Sequence, residues 1–228
     1  MPLTPELPRL SVVIPTLEAA LVLGGTLGVL AGHVGEIIVA DAGSADETQA
    51  VAAAHGARVV VAPRGRGAQI AAGIAAARGD WLLILHADTH LQPGWCEAVA
   101  QAMQVPGKAA YFRFALDAPS PPARRLERAV ALRCRWFGLP YGDQGMLISR
   151  ALLDAVGGVR PMPLMEDVDL VLRLGKRRLT EMPVAAVTSA ERWRRGGWLR
   201  TSARNVMCLF LWFGGASPES IRRIYARR

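Results

Sequence analysis

The chain has 228 residues, of which 51% are hydrophobic, enough to bury a sizeable core in one large domain. Its formal charge of +8 is unevenly placed: from Glu191 to the end there are nine arginines against two acids, so the chain before that point is close to neutral. Three cysteines without a paired spacing, Cys96, Cys134 and Cys208, exclude a disulfide framework and a structural zinc site, and no apolar run reaches the roughly 18 to 20 residues that span a bilayer.

In chain order, Met1 to Arg9 is rich in proline and lacks the basic start and apolar block of a secretion signal. Short β-rich runs then alternate with Ala-rich helical stretches. Leu10 to Ile14, Glu36 to Ala40, Arg58 to Ala62 and Trp81 to Leu85 are predicted as strands. Leu21 to Ala31, Asp46 to His55, Gly67 to Arg78 and Pro93 to Met103 are predicted as helices. Successive βα units imply a mostly parallel sheet, whose strand ends share one edge where ligands bind. Pro15-Thr16, Asp41, and His86 with Asp88 all fall at such ends, and that convergence lifts Asp41 and Asp88 above ordinary turn residues. Ser44 and Asp46 read as turn and cap residues.

After Pro106 the pattern changes. Ala109 to Leu116 alternates like a strand, Pro119 to Pro122 is a breaker, and Ala123 to Phe137 is an arginine-rich helix. Gly145 to Ser149 is a further strand after the Gly138 to Gln144 loop, and Asp167, Leu170, Val171 and Leu174 are spaced for a helix with an acidic first turn. Gly196 to Gly214 is predicted as an amphipathic helix, and Ser217-Pro218-Glu219 starts another with a good cap. The basic end suits nucleic acid, an anionic membrane or a phosphorylated ligand. Trp193, Trp198, Phe210, Trp212 and Phe213, set among aliphatic neighbours, favour a membrane interface over base stacking. Packing of these helices onto the core is the competing expectation.

Several constellations carry chemistry. His86-x-Asp88-x-His90 offers three transition-metal ligands if the strand continues, which keeps a metal-dependent phosphoester hydrolase open. Gln92-Pro93-Gly94 reads as the chain turning away, and a lone carboxylate suits Mg²⁺ or Mn²⁺ on a diphosphate better. Arg64-Gly65-Arg66-Gly67 joins two guanidiniums to a helix start, a phosphate-attracting arrangement. Glu166-Asp167 would supply a carboxylate able to take a proton from an acceptor hydroxyl.

As an ordered series these residues resemble the family 2 glycosyltransferases of the GT-A fold. Ser11-Val12-Val13-Ile14-Pro15-Thr16 is similar to their opening strand, Val39-Ala40-Asp41-Ala42-Gly43-Ser44-Ala45-Asp46-Glu47-Thr48 to their second, and His86-Ala87-Asp88 to their metal-binding DxD. Met165-Glu166-Asp167 resembles the ED motif and Glu191-Arg192-Trp193 the RW motif. Pro63 to Arg66 and Gly142-Asp143-Gln144 bring the chain nearest the subgroup named for arsenosugar biosynthesis. Where the family reads Asn-Glu after Pro-Thr-Leu, this chain has Glu18-Ala19. A non-catalytic sugar-nucleotide-binding protein is the alternative that this departure keeps open.

The resemblance implies an α/β GT-A domain over residues 1 to 228, with a mixed, mostly parallel sheet flanked by helices. A nucleotide-binding half would span about residues 10 to 105, a catalytic half 106 to 195, and basic helices 196 to 228. It implies inverting, metal-dependent transfer from a UDP- or GDP-type sugar donor, with Mg²⁺ or Mn²⁺, and the three unpaired cysteines fit a cytoplasmic protein. Pro15, Thr16, Glu18, Asp41, Arg64, Arg66, Gln69, Ala87 and Asp88 would meet the donor, Asp88 with His86 would hold the metal, and Asp167 would be the base. Asp143, Gln144, Glu166, Arg192 and Trp193 would lie on the acceptor or diphosphate side. The acceptor is open, a lipid-linked one at an anionic membrane being considered; nucleic acid is not expected.

Overall fold

The buried β-rich runs and the helices between them form a mixed sheet covered by helices in a computed structural model, which describes residues 6–226. The first five residues and the last two lie outside the described residues, and with them most of the proline-rich start and Arg227 and Arg228 of the basic end. Strand β1 (Leu7–Thr16) leads to α1 (Ala20–Leu30), β2 (Val34–Asp41), α2 (Thr48–Ala54), β3 (Arg58–Val61), α3 (Arg66–Ala76) and β4 (Trp81–Ile84). β1 pairs in parallel with both β2 and β4, and β2 with β3. These strands are apolar on both faces because helices cover both sides of a parallel sheet, and Val12, Val13, Ile14, Leu82 and Leu83 are fully buried. β1 feeds β2 on one side and borders β4 on the other, so the order reverses there and opens a crevice at the carboxyl ends.

The second half completes the sheet in the order β3-β2-β1-β4-β7-β6-β8-β5. Its elements are β5 (His90–Leu91), α4 (Trp95–Ala102), β6 (Ala109–Leu116), α5 (Pro121–Phe137), β7 (Met146–Ser149) and α6 (Arg150–Ala155). They are followed by α7 (Glu166–Leu174), β8 (Leu179–Thr188), α8 (Glu191–Gly196), α9 (Trp198–Phe213) and α10 (Pro218–Ala226). β7 runs antiparallel to β4 and β6, while β8 is parallel to β6. Phe112, fully buried on β6, packs in the larger core cluster with Leu85, Leu147 and Met182.

Three differences from the sequence reading have local causes. Pro121 and Pro122 do not break the chain: they occupy the first turn of α5, where a missing N–H costs nothing, and the Ser120 hydroxyl accepts from Ala123 N. β8 was not predicted, because Pro183 lies inside it; the pairing with β6 jumps between Met182 and Ala185, so the proline sits in a bulge. The single helix expected over Gly196 to Gly214 begins only at Trp198, because Gly197 takes φ 77 and separates α8 from α9.

α9 and α10 pack on α7 through Cys208 and Ile221 against Met165 and Val168, so packing onto the core is realised for these helices. Leu199, Val206, Met207, Phe210 and Phe213 still face outward. Among the described residues no helix is long and apolar enough to cross a membrane.

Candidate active site

Above the crevice beyond β4 lies a pocket of about 160 Å³. Arg66 at the start of α3, His86 and Asp88 after β4, and Thr188 at the end of β8 line one side; Asp143, Asp167, Arg192 and Trp193 line the rest. α9 and α10 close it with Asn205, Cys208 and Tyr225. Arg66, His86, Asp88, Asp167 and Thr188, far apart in sequence, meet here because they sit at strand or helix ends facing one edge, and loops and the C-terminal helices bring in the rest.

α7 is the element that aims the acids. Met165 precedes it at φ 70, a conformation that costs a non-glycine residue about 1 kcal/mol or more and persists where the surroundings hold it. The turn sends Glu166 inward, where its Oε1 lies 2.9 Å from Arg66 Nε. Asp167 faces the pocket, and its Oδ2 accepts from Gly142 N at 2.8 Å while its Oδ1 accepts from Val168 N at 2.8 Å. Buried Asp169 anchors the same helix by ion pairs with Arg160 at 2.8 Å and Arg173 at 2.6 Å.

Charge in the pocket is mixed and tightly held. Burial works against the Arg66 cation, yet Glu166, Asp167, Asp143 and Asp88 around it keep its proton bound more firmly than usual. Burial pushes the Asp143 carboxyl up to about 6, against the pull of Arg133, with Asp167 adding to the rise. Glu166 is pushed by burial up to about 7, against the pull of Arg66. His86 is driven well below its ordinary value by burial and by Arg66 and Arg192, so its imidazole is neutral.

The strongest sign of a ligand is a group of unpaired polar atoms. His86 Nε2, Asp143 Oδ1, Trp193 Nε1 and Asn205 Oδ1 are all buried without a hydrogen-bond partner among the described residues, and all four side chains line this pocket. Buried polar groups are otherwise almost always paired, so their concentration here makes this pocket the candidate ligand site.

The other residues expected from the sequence fall elsewhere. Asp41 is 0% exposed and accepts from Thr16 Oγ1, Ser44 Oγ, Gly43 N, Ser44 N and Gln49 Nε2. Burial opposes its charge, but those bonds win and hold its carboxyl below 3.8. Gln69 is likewise engaged, donating to the carbonyls of Thr16 and Ala40. Thr16, Asp41 and Gln69 thus form a hydrogen-bonded knot at the ends of β1 and β2, with Pro15 paired to Ala40 across the strands and none of the four lining the pocket, and a donor base would have to displace a bond to reach Asp41. Glu18, at φ 53, ties that knot to its neighbour: its N–H donates to Ser44 Oγ and its Oε1 accepts from Ala45 N.

Arg64 is exposed and, unlike Arg66, does not line the pocket. The Ala87 carbonyl accepts from Thr26 Oγ1 at 2.7 Å, which fixes the His86 to Asp88 loop against α1. Gln144 is not brought into the pocket. It is buried, donates to Phe112 O, and accepts from Tyr141 N, Arg133 Nη2 and Cys134 Sγ, so it braces the loop that carries Gly142 and Asp143. His90 packs against Gly25 of α1 and does not line the pocket, so the three-ligand metal arrangement is not assembled.

Tyr141, Thr188, Asn205, Cys208 and Tyr225 were not anticipated. Tyr225 carries a signal only in retrospect, lying under the guanidinium of Arg192 at 4.3 Å. Among the described residues no three His, Cys, Asp or Glu side chains converge on a metal position. Asp88 and the unpaired nitrogen of neutral His86 nevertheless share the pocket, a donor set that suits a cation completed by phosphate oxygens.

A crevice at a sheet switch point, lined by acids, arginines and unpaired polar atoms, is a candidate binding site for a charged ligand, and the family the chain matches makes it a glycosyltransferase. The sequence model of glycosyl transferase family 2 matches residues 11–162, two thirds of the chain, and the chain belongs to that family. The match ends before Glu166 and Asp167. No curated protein sequence matches.

Solved structures share the fold. Mannosyl-3-phosphoglycerate synthase from Rubrobacter xylanophilus is 21% identical with a TM-score of 0.60, over 90% of this chain and 74% of that one. Glucosyl-3-phosphoglycerate synthase from Mycobacterium tuberculosis, in complex with Mn²⁺, UDP and glucosyl-3-phosphoglycerate, is 21% identical with a TM-score of 0.56, over 91% of this chain and 80% of that one. TarS from S. aureus, in complex with UDP-GlcNAc, is 16% identical with a TM-score of 0.61, over 78% of this chain and 58% of that one.

Proposed function

We propose that the protein is an inverting, metal-assisted glycosyltransferase that moves a sugar from a nucleoside diphosphate donor to an acceptor hydroxyl, with Asp167 as the general base. The observation that carries this reading is the placement of Asp167, held by Gly142 N in the same pocket as Arg66, Asp88 and Arg192. In the reaction the acceptor oxygen forms a bond to the anomeric carbon on the face opposite the diphosphate. The anomeric carbon–oxygen bond to the diphosphate breaks with its electron pair, and the acceptor proton passes to Asp167. Arg66 and Arg192 offer fixed positive charge to the departing diphosphate, where stabilisation counts most.

Asp88 and His86 would hold a Mg²⁺ or Mn²⁺, which when bound supplies further charge neutralisation at the diphosphate. A UDP-type donor is favoured by the fold relatives that carry UDP or UDP-GlcNAc, and a GDP-type donor is the second arm of the test. The pattern of Pro63 to Arg66 and Gly142 to Gln144 supports the arsenosugar-named subgroup, and fold alone assigns no pathway. A cytoplasmic location accords with a donor of this kind.

The test is incubation with UDP- and GDP-sugars, Mn²⁺ and a panel of hydroxyl acceptors, reading nucleoside diphosphate release and product anomeric configuration by proton NMR. Inverted product is expected. Retained configuration would refute the single displacement, and release without any acceptor dependence would turn the reading toward hydrolysis.

A further inference from the structure

A second cavity, of about 560 Å³, opens off the reaction pocket between α5 and α9. Leu126 and Val130 of α5 and Leu209, Phe210 and Phe213 of α9 make its walls. The two spaces are continuous in their lining, since Tyr141, Asp143, Trp193 and Asn205 belong to both. Three of those four, Asp143, Trp193 and Asn205, carry a buried polar atom with no partner among the described residues. Trp193 is only 6% exposed. Apolar walls therefore end at a group of unpaired polar atoms, and those residues also line the pocket that holds Asp167.

At the outer mouth Phe210 is 72% exposed and Phe213 is 56% exposed, a heavy load of aromatic surface to leave in water. A cavity of several hundred Å³ with mostly apolar walls and a few convergent polar groups is the usual form of a small-molecule site. Resting on the transferase reading, we propose that the acceptor is an amphiphile, a hydroxyl-bearing head joined to an extended apolar body, and that the α5–α9 cavity holds the apolar body. The head meets Asp143, Trp193 and Asn205 and turns its hydroxyl toward Asp167. Neither a second copy nor a flat membrane surface accounts for the unpaired polar atoms at the inner end; a single molecule with a polar head accounts for both ends at once.

The test uses the intact chain and n-alkyl β-D-glucosides with one-, six- and eight-carbon chains, titrated calorimetrically below their micellar concentrations. Full burial of one methylene is worth about fourfold in affinity, and realising half that free energy over the seven extra methylenes makes octyl glucoside bind about 100-fold more tightly than methyl glucoside. Ala129→Trp and Ser202→Trp each fill the cavity from its open wall and are expected to reduce that ratio below about tenfold. UDP-glucose and GDP-mannose with Mn²⁺ are titrated in parallel, which also reports that each variant is folded.

Equal affinity across the chain lengths, a ratio untouched by both substitutions, or association with anionic vesicles but not with monomeric octyl glucoside would overturn the proposal. Donor binding without chain-length dependence removes the amphiphilic acceptor and keeps the transferase. Octyl glucoside binding without any nucleotide-sugar binding removes the transferase reading itself.

Discussion

Replacing Asp143 by Asn is expected to make the protein more stable at neutral pH. Asp143 lies at the junction of the reaction pocket and the apolar cavity, with Oδ1 unpaired, and burial raises its carboxyl from 3.8 to about 6. A folded value above the unfolded one means that this group's contribution to stability is fully present below pH 3.8 and is lost as pH rises through about 6. At pH 7.5 the ionised carboxylate thus costs the fold up to roughly 3 kcal/mol relative to a neutral isostere. The Asn amide faces Arg66, Arg133 and Arg192 less favourably than the acid did, which trims the gain to roughly 1 to 3 kcal/mol.

For a chain of this length each kcal/mol moves Tm by about 2 to 4 °C. Thermal unfolding of the metal-free protein by circular dichroism should therefore show a Tm several degrees higher for Asp143→Asn at pH 7.5, falling by about half at pH 5 and toward zero below about pH 4. A variant no more stable than the parent at pH 7.5, or a gain that does not shrink at pH 5, would refute the buried-charge argument. Transfer should fall at the same time, as expected where a site stores unfavourable charge for function.

Other consequences follow from the same contacts. A Cβ at Gly142 would stand 1.7 Å from Arg66 Nη2, so Gly142→Ala should displace the end of that side chain, cut kcat by roughly 100-fold and leave Tm within a few degrees; unchanged kcat would show that Arg66 is not placed for the reaction. Gln144→Leu strands Phe112 O and Tyr141 N and should lower Tm by roughly 5 to 10 °C while donor affinity in calorimetry survives, whereas lost affinity with normal Tm would move Gln144 into the site. Asp88→Asn should abolish the rise in Tm produced by Mn²⁺ with nucleoside diphosphate, and a retained rise would take Asp88 out of the metal site.

The first half of the fold was legible because each strand is an unbroken apolar run and each helix is punctuated by glycine. That Asp88, Arg66 and Asp167 line one pocket was legible for a related reason: each stands at the end of an element that had been recognised. Asp41 was recognised at the right edge, but sequence position could not show that five neighbouring donors would occupy its oxygens. β8 escaped because Pro183 breaks the strand pattern and only the partner strand reveals the bulge. Tyr141, Asn205 and Tyr225 escaped because they reach the pocket through packing of loops and C-terminal helices, which has no local signature. The exposed aromatic face of α9 was legible as a pattern, and its continuity with the reaction pocket needed coordinates.

The central claim is that Asp167 takes the acceptor proton, and Asp167→Asn tests it most directly by comparing single-turnover transfer with donor affinity measured on the same protein. An amide keeps the shape and can still accept from Gly142 N, but it cannot take up a proton at this pH. A loss of roughly 100- to 10,000-fold in transfer with donor affinity within about threefold is expected. Transfer at the parental rate would contradict the account.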